Sequence, residues 1–417
     1  MLARLLTPIL CTFAVLFSGT AATADDFFFK PKDRIVFLGD SITEQYQYST
    51  DIELYLTTRF PDWNLAFINA GISGDTATGG AGRFASHVLA EKPTCVTINF
   101  GMNDAGYGAF DANRNKQYVD NTTKMLAAAT DAGVRVALLS PNAVDRRVQE
   151  RFKLYLETQK EFYAPLKDLA AMNGASFVDQ YAITRKALEQ IEADKADKVI
   201  PFGDGFHTSP NGGMFMAHAI LTGLHAPALV SSATVDFAAG TVTGDNCKVT
   251  GFAKTAPDAT KGLVFQRTDN ALPIPVQPDW QSLLPYMNNL TDLNVYGLKV
   301  TGLEAGNYAV GIDGVEIASF TADELTKGVN LGNLSKGPVF DQAQKVFNLI
   351  NQKNGIVHQR FRGVVMFNNP PDWLADVAAE RKPLELKKRM EMIEAKQAEI
   401  YAAVKPVQRQ FTVKKVN

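Results

Sequence analysis

The sequence predicts an α/β protein: a parallel sheet with helices on both faces, then a β-rich region, then a helical C-terminal stretch. Three observations carry this. Short apolar runs alternate with longer segments of helical spacing from residue 33 to about 229. Period-two patterns and turn residues replace them over 230–335, and 336–417 turns helical and charged. Strand–helix alternation specifies a parallel sheet, because crossovers put helices above and below it.

The expected elements follow in chain order. Residues 1–24 read as a secretory signal: Arg4 gives a positive start, Leu5 to Phe17 is a short apolar stretch, and Ala22-Thr23-Ala24 offers a small-x-small cleavage pattern. An uncleaved anchor is the competing reading. Removal would leave no stable membrane insertion and a secreted or periplasmic protein. Strands are expected at Arg34–Leu38, Leu65–Asn69, Cys95–Phe100, Val134–Leu139 and Ser176–Val178, all apolar runs suited to burial on both faces. Helices are expected at about 48–60, 79–91, 116–131, 148–172 and 181–195, with Gly133 and Gly174 as stops. The core domain then spans 25–229. In the accessory region, Thr241–Gly244, Asn294–Val300, Asn307–Val310 and Ile312–Val315 carry strand and turn signals, and Pro273, Pro275 and Pro278 mark an extended loop. Helices at 338–353 and 374–403, with Trp373, Leu374, Val377, Leu384 and Leu386, read as amphipathic elements docking on the core. Arg409–Val413 reads as a closing strand.

Composition bounds the function. With 42 Lys and Arg against 44 Asp and Glu, no broad basic field exists to attract nucleic acid. Cys11 falls in the signal stretch, Cys95 reads as a small core residue, and Cys247 as unpaired. No cysteine–histidine spacing resembles a zinc site and no segment a calcium loop, so neither metal nor cofactor is implied.

Chemistry concentrates at four predicted strand ends, where sheets of this type bind ligands. Gly39-Asp40-Ser41-Ile42 puts a hydroxyl on a turn between strand and helix, exposed to a base and close to helix N–H groups. Asn69-Ala70-Gly71-Ile72-Ser73-Gly74-Asp75-Thr76 supplies glycine N–H groups that a ligand can approach. Gly101-Met102-Asn103-Asp104 offers a side-chain amide to an oxyanion. Asp204-Gly205-Phe206-His207 lets a carboxylate orient an imidazole three residues away. Each alone is commonplace; their order and placement carry the signal.

Together these four blocks resemble those of the SGNH (GDSL-type) hydrolases, over about half the chain. The resemblance implies a three-layer, flavodoxin-like α/β/α core and a serine esterase acting through an acyl-enzyme. It makes Ser41 the nucleophile, His207 the general base and Asp204 its orienting carboxylate. The oxyanion hole would comprise the N–H of Ser41, that of Gly74 and the amide of Asn103. Gly71 competes for the Gly74 role. The sequence departs from the pattern at Ile42, where Leu is usual, and at Thr208-Ser209, where Pro is usual.

Other residues receive plainer readings. Asp40 and Asp104 brace their turns, and His218 packs within a helix. His87, His225 and His358 receive no role. Tyr46, Tyr48, Tyr107 and Phe110 either floor the site or simply pack. The expected substrate is a small ester or an acylated polysaccharide, foremost an O-acetylated carbohydrate. A lysophospholipase or thioesterase, or a carbohydrate-binding module on an inactive core, are the alternatives. The accessory region, through 273–278, Trp280 and Tyr286, is expected to narrow the acyl pocket.

Overall fold

The computed structural model describes residues 26–150, 152–255, 262–368 and 370–416. The signal segment and Cys11 lie outside the described residues. Five apolar runs form one parallel sheet: β1 (Arg34–Gly39), β2 (Ala66–Gly71), β3 (Cys95–Asn99), β4 (Arg135–Leu139) and β5 (Ser176–Val178). Their order is β2-β1-β3-β4-β5, so the winding reverses between β1 and β3. That reversal opens a crevice beyond the carboxyl ends of these two strands. Buried aliphatics such as Ile35, Val36, Val96 and Leu138 show why the runs are continuous rather than alternating.

The helices between them are α1 (Ser41–Glu44), α2 (Gln47–Arg59), α3 (Ala77–Arg83), α4 (Met102–Ala105), α5 (Ala112–Asp131), α6 (Phe152–Tyr163), α7 (Leu166–Met172), α8 (Gln180–Ala193) and α9 (Gly212–Gly223). Two expected helices are interrupted. The 148–172 segment splits into α6 and α7 because Pro165 has no N–H to continue the ladder. The 79–91 segment is α3 followed by a π-turn and a short 3-10 turn.

The accessory region contains two further sheets. One orders β13 (Val329–Asn330), β10 (Val295–Thr301), β6 (Leu229–Asp236) and β7 (Thr241–Asp245). The other orders β12 (Val315–Thr321), β11 (Asn307–Ile312), β14 (Gln408–Val416), β9 (Gly262–Asp269) and β8 (Cys247–Lys254). A short helix, α10 (Ala322–Lys327), follows β12. The C-terminal strand β14 therefore lies in the middle of its sheet, pairing with both β11 and β9, so 408–416 packs with the accessory strands rather than as an edge.

Between these strands run α11 (Pro338–Arg360) and α12 (Ala375–Ala403). α11 docks on α2 through a buried Lys353–Glu53 ion pair and an Asn354–Thr50 hydrogen bond of 3.0 Å. Of the apolar residues expected to dock at the start of α12, Leu374 and Leu386 are half-buried, and the others are not covered. Trp373 is 81% exposed, and Val377 and Leu384 are more than half exposed. α12 lies along α11 and over the β2 edge, enclosing a cavity of about 570 Å³, and Ile400 near its far end is its one buried residue among those described.

Cys95 is buried and Cys247 partly so; both are free thiols. Among the described residues, no helix is long and apolar enough to cross a membrane, and no three His, Cys, Asp or Glu side chains cluster to hold a metal.

Candidate active site

β1 delivers the chain into a tight turn where Asp40 caps α1, its Oδ1 accepting from Ile42 N–H at 3.0 Å. Ser41 is thereby the first residue of a helix at the winding reversal. Gly39 cannot carry a side chain, because a Cβ would stand 2.1 Å from Thr43 Oγ1 and 2.7 Å from the Asn99 carbonyl. Ser41 Oγ lies 2.6 Å from His207 Nε2, and His207 Nδ1 lies 2.7 Å from Asp204 Oδ2. Asp204 Oδ1 accepts the backbone N–H of His207 at 2.9 Å and of Phe206 at 3.2 Å, which locks the turn. Partial burial works to raise the Asp204 carboxyl, but the His207 ring and these two N–H groups outweigh it and hold it below its ordinary value.

At the second strand end the two glycines differ in what their N–H groups meet. Gly71 N–H is spent on Asn69 Oδ1 at 2.9 Å, and its Cα is pressed against the backbone of α1. In the loop that follows, Ile72 N–H bonds Gly39 O, Ser73 N–H bonds Glu44 Oε2, and Asp75 N–H bonds Ile72 O. Among the described residues nothing accepts the N–H of Gly74, which sits at φ +76° with open space where a Cβ would project.

At the third strand end, Asn103 Nδ2 donates to Asp75 O at 2.8 Å, and Asn103 Oδ1 accepts from Tyr107 Oη at 3.0 Å. One amide hydrogen remains for a ligand. Asp104 accepts from Ala77 N–H and Gly101 N–H, bracing two loops at once. Burial pushes Asp104 up to about 6 despite those bonds. Burial likewise pushes Asp40 up to about 7, against the Ile42 bond and with help from the Asp104 and Asp75 carboxylates.

Several organising residues carried no signal in the sequence. Arg83 Nε bonds Asp75 Oδ2 at 2.8 Å while its other nitrogens bond the carbonyls of Ala70 and Gly39, tying together the ends of β1 and β2. Glu44 accepts Arg362 Nε at 2.9 Å, and His358 Nε2 stands 4.0 Å away, so the segment after α11 supports the loop of Gly74. Thr208, where Pro is usual, donates to Gln45 Oε1 at 2.9 Å and pins the His207 turn to α1. Tyr48 packs, fully buried, and donates to or accepts from Thr43 Oγ1. Phe110 is one-third exposed and packs on Phe162, away from the triad turn.

Ser41, Glu44, Gln45, Ser73, Asp204, His207 and Thr208 line an open cavity of about 520 Å³. Among the described residues, none of the accessory region lines it. Gln277 and Trp280 border a neighbouring cavity instead, so the described accessory residues do not narrow the space in front of Ser41.

The fold and these groups define a serine-type ester hydrolase, and residues 37–213 match the GDSL-like Lipase/Acylhydrolase family. Residues 37–213 thus form an SGNH (GDSL-type) hydrolase domain, and the chain is a carboxylic ester hydrolase. It is 25% identical over 213 residues to an acetylxylan esterase of Geobacillus stearothermophilus, covering 45% of this chain and 92% of that protein. It is 28% identical over 157 residues to thioesterase 1/protease 1/lysophospholipase L1 of Escherichia coli strain K12, covering 37% and 71%. Each likeness covers less than half of this chain. The solved structure of BT4096, a gut microbial diltiazem-metabolizing enzyme, covers 93% of this chain and 98% of its own, with a TM-score of 0.78 and 25% identity.

Proposed function

We propose that the chain is an exported O-acetylesterase of carbohydrates in which Ser41 is the nucleophile, His207 the general base and Asp204 its orienting carboxylate. The observation that carries the mechanism is the 2.6 Å and 2.7 Å relay from hydroxyl through imidazole to carboxylate. Ser41 Oγ attacks the ester carbonyl while His207 Nε2 takes its proton. The N–H groups of Ser41 and Gly74 and the Asn103 amide stabilise the oxyanion, and His207 returns the proton to the leaving alcohol. Water, activated by His207, then releases the acid from Ser41. No step asks for a metal or cofactor.

The size of the acyl group follows from the cavity wall. Among its lining residues none is an aliphatic or aromatic hydrophobe, so a long chain would gain little there, since burial contributes about 0.8 kcal/mol per CH₂ only where apolar surface receives it. An acetyl on a polar alcohol suits it, and the acetylxylan esterase relative supports that reading. Chromogenic acetate and octanoate esters separate the alternatives. Preference for acetate, with fluorophosphonate labelling at Ser41, is the expected result; preference for octanoate would favour the lysophospholipase and thioesterase branch instead. Export predicts a mature protein starting at Asp25, which N-terminal sequencing of the secreted or periplasmic fraction checks.

A further inference from the structure

Helix α2 is buried almost along its whole length between the core, the accessory region and α11. Burial of charge is costly unless it is paired, and α2 obeys that rule with one exception. Glu53 meets Lys353. Arg59 donates to the carbonyls of Pro227, Leu229 and Leu293. Asp51, only 4% exposed, has no hydrogen-bond or ion-pair partner among the described residues. Burial first, and the Asp279 carboxylate second, push its carboxyl well above the ordinary range.

Asp51 borders a cavity of about 290 Å³ whose wall also includes Tyr46, Gln47, Asp279, Trp280 and Phe347. Two more polar atoms there are buried without a partner: Tyr46 Oη and Gln47 Oε1. Asp51 thus borders this space with no protein partner among the described residues, which is the exception for a carboxyl so deeply buried. The cavity adjoins the catalytic one, because Gln45 lines both and its bonds to Thr208 form the ridge between them.

We infer that this cavity is a subsite for a sugar ring of the substrate's alcohol portion, with the Asp51 carboxyl bonding its hydroxyls. The inference rests on the carbohydrate reading above. The wall mixes donors and acceptors, which several hydroxyls on one ring, each both donor and acceptor, satisfy better than a single ammonium can. A carboxyl biased toward its neutral form draws a cation weakly but both donates to and accepts from a hydroxyl. Phe347, half-buried at the wall, supplies an apolar side on which a sugar ring can pack. The volume falls just below the usual span for ligand pockets (roughly 300–1,000 Å³), which suits one ring and no more.

The test compares acetylated xylobiose with p-nitrophenyl acetate, which has no sugar, in the full chain. Asp51→Leu should lower the ratio of kcat/KM for the first substrate over the second by about tenfold, mainly through KM. Asp51→Asn, which keeps hydroxyl bonding, should retain most of it. Asp51→Leu should unfold at a higher temperature than the parent, since it removes a buried polar group that has no protein partner. A merely structural Asp51 would give a lower unfolding temperature and equal losses on both substrates. An unchanged ratio in a parent that cleaves acetylated xylobiose would overturn the subsite and leave the esterase reading standing. A parent that cleaves p-nitrophenyl acetate but no acetylated saccharide would overturn both. Inhibition of the parent by tetramethylammonium that Asp51→Leu abolishes, with no response to xylobiose, would assign the cavity to cations instead.

Discussion

His207 and His218 each meet an aspartate at hydrogen-bond distance, 2.7 Å to Asp204 and 2.9 Å to Asp292. His207 uses Nδ1, which leaves Nε2 facing the Ser41 hydroxyl at the mouth of an open cavity. His218 uses Nε2, spread over both oxygens of Asp292, and sits buried in α9. Burial works to raise Asp292, but the bonds from His218 and Asn288 outweigh it and hold it low, as at Asp204. The carboxylates thus behave alike while their surroundings differ. A histidine–aspartate pair is in itself a clamp; a second ring nitrogen aimed at a hydroxyl, with solvent access, turns the clamp into a proton relay.

The comparison breaks most sharply at Ser41. Ser41→Ala should reduce acetate-ester turnover by on the order of 10⁴–10⁶, and adding His207→Ala should cost little more, because the two act as a unit. Near-parental turnover by Ser41→Ala would remove the basis for distinguishing the two pairs. Asn103→Ala should lower kcat by roughly 10²–10³ with KM little changed, the loss of about 3 kcal/mol typical of one oxyanion donor. A rise in KM alone would instead make Asn103 a substrate-binding residue.

The sequence made the active-site side of this comparison legible because its signals are local. Ser41, Gly74, Asn103 and the Asp204–His207 turn each lie within a few residues of a strand end or turn, and turn chemistry is written in short segments. What stayed hidden depends on residues far apart in the chain. Pairing of Glu53 with Lys353, support of Glu44 by Arg362, and the entry of β14 between β9 and β11 all need the fold first. Helical spacing could show that α12 has apolar residues, but nothing local says which neighbour covers them, and Trp373 is left largely exposed. For His218 the helix-packing reading was available from Met216, Ala217 and Ile220, whereas Asp292 was not.

Asp40 sharpens the comparison through pH, with a smaller effect on turnover. Its carboxyl titrates near 7 in the fold, against 3.8 for the ordinary side chain. The folded state therefore holds the proton more tightly, so this group's stabilisation is full below pH 3.8 and is lost as pH rises through about 7. Asp104, pushed up to about 6, acts in the same sense. Asp40→Asn keeps an acceptor for Ile42 N–H and removes the titration, so turnover should stay within about fivefold. Urea midpoints near pH 5 and pH 8 should differ less in the variant than in the parent. An equal decline in both would show that Asp40 does not carry the dependence.

The smallest effect on turnover belongs to the buried pair, and there the prediction is about folding. His218→Phe preserves the apolar bulk of the ring but takes a donor from Asp292, leaving Asn288 Nδ2 at 2.8 Å as its side-chain partner. Half-buried carboxylates that lose a bonded partner typically cost about 1–3 kcal/mol. The unfolding midpoint should fall accordingly, while kcat and KM on acetate esters remain those of the parent. Replacing both partners, His218→Phe with Asp292→Leu, should recover much of the loss, because no stranded charge remains. A turnover defect in His218→Phe at a temperature where the variant is fully folded would mean that α9 transmits to the His207 turn, and that the two pairs are not independent.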